Sequence, residues 1–285
     1  MSGLRSWTLP CSPELIRGGS ESLAGRIEFI ELHGFDLWEL GQDRMRDLWV
    51  RGGFPRSQLA DTAKDSFRWR RAFIQAFVER DLRFLGVDLP PLELSRFLRM
   101  LAHLHGQTLN ASEVARSLQI THPTVRKYVD ILAGAMWLRV LPPWFSNRGK
   151  RLVKAPKLYF RDSGIWLTLK GLETWEQLEG HPKLGAPWEG FAWEQVLGGW
   201  EGEDPSFWAT HGGAELDLRL SAGGKTLGIE FKYSSAPSIT RSMHIAMEDL
   251  SLDALYESSS QEVVWIGAEG RFTQWNHVLR KFRDH

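Results

Sequence analysis

The stretch Gly213–Lys232, GAELDLRLSAGGKTLGIEFK, constrains the fold more than any other part of the chain. Apolar and polar residues alternate on both sides of Gly223-Gly224, the pattern of a β-hairpin with a two-residue turn. With those glycines as the loop, Ala222 faces Lys225, Leu220 faces Leu227, Leu218 faces Ile229 and Leu216 faces Phe231. The apolar pairs then share one face, because strand side chains alternate. The other face sets Asp217 opposite Glu230 and Glu215 opposite Lys232. Two carboxylates directly opposed in a ladder repel, so this hairpin asks for a cation.

One answer is a divalent metal. Mg2+ or Mn2+ held by Asp217 and Glu230 would turn the repulsion into a binding site. Lys232 projects on the same face as Glu230, where it can stabilise charge developing in phosphodiester hydrolysis or position a water. An acidic strand residue, a hairpin and then Glu-x-Lys resembles the pattern of PD-(D/E)xK nucleases. That family usually adds an acidic residue on a preceding helix, and Glu189 and Glu194 in PWEGFAWEQVL both qualify. The catalytic candidates are therefore Glu189, Glu194, Asp217, Glu230 and Lys232. The other answer needs no metal: Glu215 opposite Lys232 is an ordinary cross-strand ion pair, and Asp217 lies diagonal to Lys232 and two residues before Arg219. A metal-dependent nuclease and a non-catalytic scaffold both stay open.

Other chemistries are excluded by missing residues. GGKT at 223–226 lacks the first glycine of a phosphate loop, since position 219 is arginine. The single cysteine, Cys11, and the spacing of the nine histidines make no zinc site. No G-x-S-x-G elbow occurs. One cysteine suits a reducing compartment. No basic-then-apolar leader and no run of about 20 apolar residues occurs, so the expected location is cytoplasmic, with no membrane partner.

The charge balance hides a basic module. Lysine plus arginine equals aspartate plus glutamate at 35 each, yet Asn110–Phe160 holds nine basic residues against two acidic ones. Within it, NASEVARSL opens with a capping-box pattern, Asn110 and Glu113. THPTVRKYVDIL follows after a short turn, with Thr121 as N-cap and Val125, Tyr128, Val129 and Leu132 as its apolar stripe. Two short helices and a tight turn describe a helix-turn-helix. Two β-like runs, MWLRVL and LVKAPKLYF, follow, joined by PPWFSNRGKR as a wing. Candidate nucleic-acid contacts are Thr121, Thr124, Arg126 and Lys127 on the second helix, with Arg148, Lys150 and Arg151 at the wing tip. Lysine and arginine there would neutralise phosphates, while Thr124 or Arg126 would reach base edges. DNA is the expected partner; a helical module that binds protein is the alternative.

SPELIRGGSESLAGRIEFIELHGFDLWELG, RGGFP, RDL, PKLYFRDSGI and AELD…IEFKYS follow one another along the chain. Together they resemble a group of uncharacterised prokaryotic AAA-type ATPases, in which a P-loop domain precedes a C-terminal domain of unknown function. The resemblance implies an α/β, multi-domain chain. Residues 1–35 would be a remnant of the ATPase core, 36–90 a helical lid, 91–160 a winged helix-turn-helix and 161–285 a PD-(D/E)xK nuclease-like α/β domain. Arg17 and Arg26 match family arginines that contact nucleotide or a neighbouring subunit. The phosphate loop is absent, so ATP is expected only in a full-length relative, and the chain reads as truncated. The implied function is DNA association through the winged helix. The alternative is a non-catalytic interaction module working with a separate ATPase subunit.

Overall fold

The computed structural model describes residues 31–145, 152–198, 200, 204–233, 240–259 and 263–266. Arg17, Arg26, Arg148, Lys150 and Arg151 lie outside the described residues, as do residues 1–30 of the expected ATPase-core remnant. The described chain is mixed α/β, with helices and two sheets.

The first helices are set by their caps. Asp36 accepts from the Trp38 and Glu39 amides and forms a capping box with Glu39 ahead of α1 (Leu37–Leu40). Helix α2 (Met45–Arg51) stops at Gly52, whose φ of 76° lies in the region that favours glycine. Proline opens α3 (Pro55–Gln58), and Thr62 caps α4 (Ala63–Ala76). A π-helical turn, Phe77–Asp81, links α4 to α5 (Leu82–Phe84). Residues 36–90 are thus helical, with a break at Gly52–Phe54. The buried stripe of α4 runs through Phe67 and Arg70 into Phe77, while Ala76 is exposed. Arg70 occupies a core position because its guanidinium donates to Val50 O at 2.9 Å, Ser66 Oγ at 3.1 Å and Thr168 Oγ1 at 2.8 Å.

Two landmarks of the sequence meet here. Asp162 caps α9 (Ser163–Lys170) by accepting from the Ile165 amide at 2.7 Å, and it also accepts from the Gly53 amide at 2.8 Å. A Cβ on Gly52 would overlap the Asp162 carboxylate, and one on Gly164 would overlap the Arg51 carbonyl. RGGFP and RDSGI are therefore two halves of one close backbone packing.

Residues 91–160 run helix, strand, helix, helix, strand, strand: α6 (Pro91–His103), β1 (Gln107–Thr108), α7 (Ala111–Leu118), α8 (His122–Gly134), β2 (Leu138–Leu141) and β3 (Lys157–Phe160). The strands form an antiparallel sheet in the order β1-β3-β2. Asn110 caps α7 through the Glu113 amide, and Thr121 caps α8 through the Thr124 amide. Val125, Tyr128, Val129 and Leu132 are all buried, and Tyr128 meets Phe97 of α6 edge-on at 6.1 Å.

Beyond α9 come α10 (Trp175–Glu179), α11 (Gly185–Leu197), β4 (Ser206–Ala209), β5 (Glu215–Ala222), β6 (Lys225–Lys232), α12 (Arg241–Leu250), β7 (Ala254–Ser259) and β8 (Val263–Ile266). The sheet order is β4-β5-β6-β7-β8, antiparallel except for β6 and β7, which are joined through α12. The two sheets are tied together at β4. Trp144 donates to Phe207 O at 2.7 Å, Phe207 to Pro142 O at 3.1 Å and Val153 to Ala209 O at 3.0 Å. One apolar core runs from Leu48 in α2 to Phe231 in β6.

The hairpin keeps the expected register at Ala222↔Lys225, Leu220↔Leu227 and Leu218↔Ile229, and then departs from it. Opposite β4, Ser206↔Arg219 is followed by Trp208↔Leu216, so β5 carries one extra residue across Asp217 and Leu218. Such a bulge shifts the side-chain alternation by one. Leu216 accordingly leaves the face of Leu218 and Leu220 and packs with Met243, Ala246, Leu250 and Leu255. Cross-strand pairing of β5 with β6 stops at Leu218, and Asp217 is not the ladder partner of Glu230. Among the described residues no helix is long and apolar enough to cross a membrane.

Candidate functional site

The bulge aims Asp217 into the gap where β5 leaves β6. Its Oδ2 accepts from the Phe231 amide at 2.9 Å, replacing a ladder bond, and its carboxylate also hydrogen-bonds to Glu230. Glu189, on α11, faces the same gap. The step of five residues from Glu189 to Glu194 places them about 140° apart around a helix, and the structure separates them. Glu189 joins Asp217 and Glu230, while Glu194 pairs with Arg139 of β2 and with Arg161 at 3.4 Å. The hairpin's Glu-x-Lys places Lys232 where its charge acts on Glu230.

The cluster's cation comes from another sheet. Lys157 of β3 is 7 % exposed, and its Nζ lies 3.2 Å from Glu189 Oε1 and 3.7 Å from Asp217 Oδ1 and pairs with Glu215 Oε1. Two residues on, the Tyr159 hydroxyl donates to the same Glu189 oxygen. Counting charges along the sequence includes Lys157 in the basic excess of residues 110–160; the structure puts it inside. The signal in the sequence was a lysine and a tyrosine at period two in KLYF, an otherwise apolar strand. Arg139 is half-buried and bidentate on Glu194. The sequence-level basic excess of residues 110–160 is smaller at the surface as a result. Arg116, Arg126, Lys127 and Lys154 are the exposed cations among its described residues.

The electrostatics follow from burial. Burial and then the neighbouring charge of Asp217 push the Glu189 and Glu230 carboxyls well above the ordinary carboxylate range. Burial alone would pull the Lys157 ammonium down, but Glu189, Asp217 and Glu215 outweigh it and hold it above the usual lysine range. A carboxyl whose folded value is raised binds more protons folded than unfolded, so its contribution to stability is lost as pH rises through the raised value. The protein should therefore lose stability as pH climbs from the ordinary glutamate value of 4.5 into the alkaline range. Glu230→Gln removes a carboxyl that must ionise while buried. It should flatten that slope and raise stability at high pH by about 1–3 kcal/mol, since each tenfold change in a carboxyl's ionisation equilibrium is worth about 1.4 kcal/mol. Urea denaturation across pH checks this; a wild type that stabilises as pH rises would contradict it.

These carboxylates do not fit a divalent metal as they stand. Among the described residues no group of three histidine, cysteine, aspartate or glutamate side chains is arranged to hold a metal ion. Asp217 and Glu230 share a hydrogen bond with each other, and an ammonium already lies against Asp217, Glu189 and Glu215.

The helical pair presents a second surface. Thr121, Arg126 and Lys127 are exposed and Thr124 is half-exposed on the N-terminal half of α8. The Thr121 and Thr124 hydroxyls lie 2.7 Å apart. Pro123, Arg126, Lys127, Asp130, Ile131 and Gly134 line a shallow groove along the helix.

A domain of unknown function (DUF8612) matches residues 42–176, a span that holds α8, Lys157 and the Gly52–Asp162 junction and excludes Glu189, Asp217 and Glu230. Uncharacterized proteins of Mycobacterium tuberculosis and Mycobacterium bovis are each 45 % identical over 244 residues, covering 86 % of this chain and 55 % of theirs. The chain thus spans about half the length of the curated relatives it matches. No solved structure matches it.

Proposed function

We propose that residues 91–160 act as a winged helix that associates with duplex DNA, with α8 as the helix that enters the major groove. The observation that carries this reading is the placement of α8. Its C-terminal half is packed into the core through Val129 and Leu132, while its N-terminal half presents Thr121, Thr124, Arg126 and Lys127. The order helix, strand, helix, helix, strand, strand around an antiparallel sheet supports the same assignment, because a second helix offered by its N-terminal residues is how such modules dock. In this reading Arg126 and Lys127 contact phosphates or guanine edges and Thr124 contacts a base or phosphate. Arg116 on α7 and Lys154 ahead of β3 extend the positive surface.

The C-terminal sheet acts here as a scaffold that fixes β3, through the β4 contacts and the Lys157 cluster.

Fluorescence anisotropy with a labelled random-sequence duplex tests the reading. The chain should bind at low salt, with binding reversed by unlabelled duplex. Absence of binding at about 50 mM salt, where phosphate contacts are strongest, would sink the DNA reading and favour the protein-interaction alternative.

A further inference from the structure

The carboxylates of α11, β5 and β6 are deeply placed: Glu189 and Asp217 are each 13 % exposed, and Glu230 is 7 % exposed. Buried carboxylates of one sign persist only when a cation or a proton balances them. Glu230 lies beside Asp217 and is also under the charge of Lys232. The remaining charge of Glu189, Asp217 and Glu215 converges on a single group, the Lys157 ammonium. That lysine is not a mobile surface side chain. Its backbone is paired on both sides, with Thr108 of β1 and Leu141 of β2, and its ammonium lies over the Phe207 ring, 5.4 Å from the centroid. Tyr159, from the same strand face, holds Glu189 from the other side.

A divalent ion would need these same oxygens at about 2.0–2.6 Å. It would then compete with Nζ for the same oxygens and stand near it, with like charges in a site of low dielectric, where their repulsion is large. The two cations cannot share the cluster.

We propose that Lys157 is the resident cation of this carboxylate cluster, so that docking of β3 onto α11 and β5 and binding of a divalent metal at Asp217 and Glu189 exclude each other. The strand acts as an intramolecular plug. A metal gains the site only if β3 withdraws its lysine, which couples the helical and strand module to the state of the C-terminal carboxylates. This inference is independent of DNA binding.

Electron paramagnetic resonance of free Mn2+, titrated into the full chain, tests it. Wild type should take up no Mn2+ in an Asp217-dependent way at sub-millimolar concentration. Lys157→Met keeps most of the stem and removes the charge. It should bind Mn2+ at one site at least about tenfold more tightly than wild type, and Asp217→Asn added to it should abolish that binding. Lys157→Met leaves buried carboxylates without a counter-ion and is at risk of unfolding, so Lys157→Met/Glu215→Gln, which removes one charge of each sign, is carried in parallel with the same expectation. Melting curves should show a Mn2+-induced rise in both variants that wild type lacks. Asp217-dependent Mn2+ binding in wild type as tight as in the variants overturns the proposal. So does a folded variant that takes up no more Mn2+ than wild type. Failure of both variants to fold even with Mn2+ also overturns it, because a cation position should accept a replacement cation.

Discussion

Arg126→Glu combined with Lys127→Glu should lower affinity for duplex DNA by about a hundredfold at moderate salt while leaving the melting temperature within a few degrees. Both side chains are exposed on α8, and neither makes an ion pair among the described residues, so the fold does not depend on them. Each cation that neutralises a phosphate contributes through counterion release, and reversing its sign adds repulsion. Two such changes on a small interface are a large share of its electrostatic attraction. Circular dichroism and anisotropy on the same preparations separate loss of binding from loss of structure. Unchanged affinity would move the site away from α8.

Gly164→Ala should destabilise the protein by about 3 kcal/mol, the upper end of what overpacking costs, and Gly134→Ala should not. A Cβ at position 164 would overlap the Arg51 carbonyl and stand 2.8 Å from the Gly52 amide nitrogen. Both are backbone atoms, so no side chain can swing aside. The Gly52 backbone is fixed in turn by its φ of 76° and by Asp162, which holds the Gly53 amide. Position 134 ends α8 with nothing within 4 Å of an added Cβ, and alanine is the better helix former there. Urea denaturation of the two variants gives the comparison. Equal stabilities would mean that the junction of RGGFP with RDSGI yields more easily than its packing implies.

The parts of the fold that local chemistry controls were legible. Asn110 and Thr121 cap the helices they were expected to cap, and Gly223-Gly224 sets the hairpin turn with the three cross-strand pairs nearest to it. Legibility failed where a distant partner decides. The bulge at Asp217 and Leu218 is imposed by β4, a strand whose SFWA sequence offers too short an alternation to announce itself. That one inserted residue moved Leu216 to another core and took Asp217 out of the ladder with Glu230. The puzzle of two opposed carboxylates therefore has a different form in the folded chain, a hydrogen-bonded pair beside a lysine.

Lys157 was missed for a related reason. A count of basic residues cannot tell an outward lysine from one whose strand face meets carboxylates that lie 32 and 58 residues further along. The same count overstated the basic surface, since Arg139 is spent on Glu194. Glu189 and Glu194 were equivalent in sequence because both follow an apolar helix pattern; only the position of β3 and of Arg139 and Arg161 distinguishes them.

The salt dependence of duplex binding, measured side by side for wild type and for Arg126→Glu/Lys127→Glu, tests the central claim most directly. If these two side chains meet phosphates, the logarithm of wild-type affinity should fall with the logarithm of salt more steeply than the variant's. The difference in slope should be about 1.8, or about 0.9 for each phosphate neutralised. Parallel lines, with both proteins binding and losing DNA together as salt rises, would contradict it and place the DNA contacts elsewhere on the molecule.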